Sequence, residues 1–160
     1  MPTFQTDIST GQAAAKVNFA SRIDDSRRVD SGLEVLDSVY TIANPTTEAT
    51  NDLIYLGDIP LGAIVYPEES FVFSETDPGT LLTVDIGDTV DPDRYSDGIN
   101  LSAVGKVEFT SAVANVAGVV TRYEVLDTTK ALYATIVGTV TALTPGTKIH
   151  FKVKYKCLGY

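Results

Sequence analysis

Four aspartates, Asp88, Asp91, Asp93 and Asp97, fall within ten positions, and Arg94 is the only base among them. Carboxylates crowded in this way can ligate a hard cation, or they can accept backbone N–H bonds and shape turns. Spacing separates the two. A helix–loop–helix calcium site needs oxygen ligands at loop positions 1, 3 and 5, glycine at 6 and glutamate at 12. Counting from Asp93 puts Tyr95 at 3, Asp97 at 5, Gly98 at 6 and Val104 at 12. Two required positions fail, and no helical pattern flanks the loop. No residue is therefore assigned as a metal ligand. A looser calcium site built from these aspartates and backbone carbonyls is the alternative. The expectation is a set of Asx turns with a local pair to Arg94.

Nucleophilic chemistry finds less to work with. His150 is the only histidine and Cys157 the only cysteine. They stand seven residues apart on one alternating segment, which places them on opposite faces of a strand. A Cys–His dyad needs the two side chains within hydrogen-bond reach, so this pair cannot form one. There is no Gly-x-Ser-x-Gly elbow, no phosphate-binding glycine loop and no dinucleotide fingerprint. No catalytic and no cofactor-binding residue is assigned, and the chain is read as a non-enzyme. A lone cysteine also excludes an intramolecular disulfide and a cysteine zinc site within these 160 residues.

The third candidate is cationic. Lys148, His150, Lys152, Lys154 and Lys156 alternate with Ile149, Phe151, Val153 and Tyr155, a period of two with one apolar and one basic face. Such lysines can contact phosphates, meet the acidic surface of a neighbouring subunit, or protect an edge strand from aggregation. Inter-subunit contact is assigned to Lys148, Lys152, Lys154 and Lys156. Direct nucleic-acid binding is not, because the chain as a whole carries a net charge of −9. The charge is uneven. Residues 48–108 hold thirteen acids and two bases, whereas residues 109–160 hold two acids and six bases. Copies of the chain, or a basic partner, could meet through that asymmetry.

The elements that must position these groups read as β. After a polar, apolar-poor stretch, strand patterns run through Val35 to Ile42, Leu53 to Leu56, Ala63 to Tyr66, Phe71 to Phe73, Leu81 to Ile86, Lys106 to Thr110, Val119 to Leu126, Ala131 to Leu143 and Lys148 to Lys156. Asn44-Pro45, Asp77-Pro78-Gly79 and Pro145-Gly146 punctuate them. Many short strands with frequent turns indicate an all-β protein, an antiparallel, jelly-roll-like β-sandwich spanning 33–160. Residues 1–32 are read as an extended N-terminal arm, although Ala13 to Ala15 would favour a short helix. The N-terminus lacks the basic start and apolar centre of a signal peptide, and no apolar run approaches a membrane span. The expectation is a chain made and used without export or membrane insertion.

Four segments, in order, carry a resemblance: Asp58-Ile59-Pro60-Leu61-Gly62-Ala63, Thr83-Val84-Asp85-Ile86-Gly87, Asp93-Arg94-Tyr95-Ser96-Asp97-Gly98 and Ala134-Thr135-Ile136-Val137-Gly138, followed by the closing alternating strand. Over residues 33–156 this resembles the small head decoration or cement proteins of tailed bacteriophages and related virion structural proteins. The arm matches no motif. The resemblance implies a β-sandwich that associates as a small ring, commonly a trimer, on the outer capsid surface. There it would bridge subunits of the major capsid protein, after assembly in a bacterial cytoplasm. Two alternatives stand beside it: a neck, tail or head-fibre protein, and a calcium-dependent lectin-like module in which Tyr95 replaces the missing tryptophan.

Overall fold

The period-two pattern of the last strand organises half of the molecule. The computed structural model describes residues 3–5, 33–44, 46–109, 125 and 130–157. In β12 (Lys148–Cys157), Ile149, Phe151, Val153 and Tyr155 are at most 1% exposed. Burying each such side chain is worth about 1.5–3 kcal/mol, so their alternation decides which face turns inward. β2 (Leu33–Thr41) pairs antiparallel with β12 from Lys148↔Thr41 to Lys156↔Leu33. The other side of β12 is shared by β4 (Ala63–Val65) and β5 (Phe71–Ser74), which a 3₁₀ turn at Pro67–Glu69 separates. β9 (Gly105–Glu108) pairs with β5 and completes the first sheet. β12 is therefore flanked on both sides, and the edge-strand explanation of its lysines fails.

The second sheet runs in the order β1 (Thr3–Gln5), β3 (Leu53–Asp58), β10 (Ala131–Ile136), β7 (Thr83–Gly87), β8 (Ser96–Asn100). Its pairs are antiparallel except β1 with β3, which is parallel. One apolar cluster joins the sheets, drawing Leu36 and Phe151 from the first and Ile54, Ile86 and Leu132 from the second. The Ser38 hydroxyl of β2 donates to the Leu56 carbonyl of β3, a buried bond from one sheet to the other. The architecture is an all-β sandwich, as the strand pattern indicates. A separate two-stranded ribbon, β6 (Gly79–Thr80) with β11 (Thr141–Leu143), sits at one end of it.

Three departures from the sequence expectation have physical causes. Ala131 to Leu143 is not one strand; it breaks after Ile136 because Gly138 packs its backbone onto Leu81. A Cβ at Gly138 would stand 2.5 Å from the Leu81 carbonyl oxygen. Half of the expected aspartate loop is the edge strand β8, in which only Ser96 and Ile99 turn inward. β1 and β6 are too short to leave a periodic trace. Most of the N-terminal arm and most of the Val119–Leu126 segment lie outside the described residues; the backbone of Thr3–Gln5 adds to the edge of the second sheet.

Candidate functional site

The aspartate loop is built around one buried carboxylate. Asp88 is 2% exposed. Its Oδ1 accepts the Val90 N–H at 2.7 Å and the Asp91 N–H at 3.0 Å, while Oδ2 takes the Arg94 guanidinium. The backbone closes the same turn: the Asp91 carbonyl accepts from the Asp88 and Arg94 N–H groups, and Tyr95 N–H returns to the Ile86 carbonyl. Gly87 is required here, because an added Cβ would lie 2.2 Å from the Asp91 carbonyl oxygen. Asp88 is thus the centre of an Asx turn with its charge neutralised by Arg94, and its oxygens are already engaged.

The remaining aspartates of the stretch split. Asp85, on β7, accepts the Gly98 N–H at 2.7 Å. Burial raises its pKa above the usual carboxylate range, against that N–H bond, and nearby Asp97 and Asp93 push the same way as burial. The hydrogen bond that protonated Asp91 donates to Asp93 is the main reason Asp91 is raised, with burial second and Arg94 opposing. Among the described residues, no group of three or more His, Cys, Asp or Glu is arranged to hold a metal ion.

The basic face of β12 is brought together as the alternation requires, but the fold supplies carboxylates to its middle. Lys152 pairs with Asp37 of β2. Lys154 Nζ lies 3.2 Å from Glu69 Oε2, and His150 Nε2 lies 2.8 Å from Glu75 Oε1. These acids stand 115, 85 and 75 residues away in sequence, so no local pattern could have announced them. Lys148 and Lys156 lie exposed at the two ends. Across the same outer face, Leu33 is 41%, Val35 45% and Phe73 37% exposed. The face is mixed, apolar patches between salt-bridged cations. Cys157 packs against the core while His150 points outward, so the two do not meet.

A second buried carboxylate has a structural task. Glu48 accepts from the Tyr40 hydroxyl and the Ala43 N–H, each at 2.6 Å, and from the Thr47 N–H at 2.9 Å. Burial, and then the bond to Glu48, push the Tyr40 phenol above its ordinary value. Sequence reading passed over Glu48 because a lone glutamate in a polar turn carries no periodic signal. It also missed the ribbon, where Leu81 has φ +63° and Ala142 φ +50°. Leucine rarely enters that region, since its Cβ crowds the backbone.

Among the described residues, no helix is long and apolar enough to cross a membrane. No protein-family model and no curated protein matches the chain. Two solved structures share its fold. A chain of the cyanophage Pam1 capsid asymmetric unit superposes with a TM-score of 0.54 at 16% identity, covering 78% of this chain and 84% of that one. A chain of the capsid of Ralstonia phage GP4 gives 0.51 at 19% identity, covering 79% and 84%.

Proposed function

We propose that the protein is a non-enzymatic virion structural protein of a tailed bacteriophage, a capsid decoration or cement protein. It binds the outer capsid surface as a homo-oligomer, a trimer, and stabilises the head by bridging major capsid protein subunits. The observation that carries this reading is a sandwich fold shared, over more than three quarters of each chain, with components of two phage capsids. The ordered motifs from Asp58 to Gly138 support it independently. The engaged oxygens of Asp88 favour it over a calcium-dependent lectin, because a ligand role would compete with the bonds that form the turn.

Binding works by addition. Each decoration subunit makes modest contacts, and repetition over a lattice multiplies them. The β12 face supplies one contact surface in this reading. Lys148 and Lys156 meet acidic groups of a neighbouring subunit, while Lys152 and Lys154, held by Asp37 and Glu69, keep the face flat and their stems packed.

Co-sedimentation with assembled capsids and with free coat subunits tests the proposal. Binding to capsids that is stronger than to free subunits, and weakened by salt and by Lys148→Glu with Lys156→Glu, is the expected result. Failure to bind capsids overturns it. Localisation to the neck or tail would move the protein to the rival virion position.

A further inference from the structure

Asp97-Gly98 is the sole Asp–Gly or Asn–Gly pair in the chain. An aspartate followed by glycine can close on itself, because a glycine nitrogen with no Cβ beside it can approach the preceding side-chain carboxyl. Regular strand pairing would hold the two groups apart, and here the pairing is interrupted. In the register of β7 with β8, Val84 faces Ile99 and Ile86 faces Ser96. Asp85 therefore stands opposite both Asp97 and Gly98, the two-against-one pattern of a β-bulge on an edge strand. Gly98 sits in it at φ +66°, and both residues are exposed. Among the described residues, no atom lies within 4 Å of where a Cβ at Gly98 would stand.

Asp85 reaches both reacting groups. It is 9% exposed, and its Oδ1 accepts the Gly98 N–H at 2.7 Å. Burial raises its pKa, and the hydrogen bond that its protonated carboxyl donates to Asp97 adds to the rise. One carboxyl thus accepts the proton that the nitrogen must lose and offers the proton that the departing oxygen must gain, the arrangement of a general acid and base. We propose that Asp97-Gly98 is a self-modification site, at which Asp85 drives closure of Asp97 to a succinimide and so to isoaspartate. The Gly98 nitrogen attacks Asp97 Cγ, and its proton passes to Asp85 Oδ1. One Asp97 carboxylate oxygen departs as water with that proton and the one Asp85 already carried. Asp85, left as a carboxylate, regains a proton from solvent. Water then opens the ring at either carbonyl. Opening at the main-chain carbonyl leaves isoaspartate, whose chain runs through Cβ and Cγ and adds one methylene to β8. The reaction needs no capsid and no second copy.

Peptide mapping of the full chain tests it, with electron-transfer fragmentation to distinguish isoaspartate from aspartate at residue 97. The folded protein and the same protein unfolded in urea are aged side by side at mildly acid pH. Isoaspartate should accumulate about a hundredfold faster in the folded chain, where Asp85 is held against the bulge. Asp85→Asn still accepts the Gly98 N–H but neither takes nor gives the proton. It should lose that excess, with circular dichroism confirming its fold. Should the variant unfold, the comparison between the folded and unfolded unsubstituted chain decides by itself. A folded chain that ages no faster than the unfolded one overturns the proposal. So does a folded Asp85→Asn chain that ages as fast as the unsubstituted protein. Neither result bears on capsid binding, which co-sedimentation scores separately.

Discussion

Strand β7 carries an opposite kind of turn at each end. Beyond Gly87, Asp88 draws two N–H groups and a guanidinium onto one buried carboxylate, and its charge is spent inside the loop. Before Thr83, Leu81 holds a left-handed conformation and turns an apolar side chain to solvent. The first end is rich in residue types that could do chemistry and has them already employed. The second has none of those types and leaves its surface unspent. Crowded functional groups are thus weak grounds for a site unless their bonding capacity remains open.

The largest expected effect breaks the first end. Asp88→Ala removes a buried acceptor from the Val90 and Asp91 N–H groups and takes one of its acid partners from Arg94, which keeps Asp91 at 3.8 Å, and should destabilise the fold by about 2–3 kcal/mol. The urea midpoint measures this. A loss below about 1 kcal/mol would mean that water replaces the carboxylate and the loop is not its construction. The second end should respond in the opposite direction. Leu81→Asn relieves the left-handed strain and should stabilise the subunit by roughly 0.5–1 kcal/mol. The urea midpoint reads this too, and an unchanged or lowered midpoint would mean that Leu81 carries no strain.

Acid sharpens the comparison further. Asp85 and Asp91 are raised in the folded chain, by burial and by the bond to Asp93 respectively. A raised carboxylate binds its proton more tightly when folded. Its contribution is present below the ordinary carboxylate pKa and is lost as pH rises through the folded value. Melting temperature should therefore gain from these two groups under mildly acid conditions, and Asp85→Asn, which keeps an acceptor for Gly98 N–H, should flatten that gain. An unaltered pH profile in the variant would mean that burial does not raise Asp85. The smallest effect is expected on the β12 face. Asp37→Ala opens the pair to a partly exposed Lys152 and should cost less than about 1 kcal/mol, because solvent already screens it.

How much of this was legible follows from what is local. The closing strand was, since nine alternating residues tie burial to sequence with a period of two. The turn-making role of Asp88 was, because an Asx turn bonds its own next few residues. Strand order was not. Pairing β10 with both β3 and β7 depends on contacts across much of the chain, which alternation cannot number. β8 hid inside Ser96-Asp97-Gly98-Ile99-Asn100, a composition poor in strand formers that pairing with β7 overrides. The carboxylates that pair with Lys152, Lys154 and His150 come from distant segments. The positive φ of Leu81 has no sequence signature, since leucine gives no warning of a turn.

Electron cryo-microscopy of capsids prepared with and without the protein tests the virion role most directly. The expected result is sandwich density on the outer capsid surface, bridging coat subunits. Density confined to the neck or tail, or capsids identical with and without the protein, would contradict it.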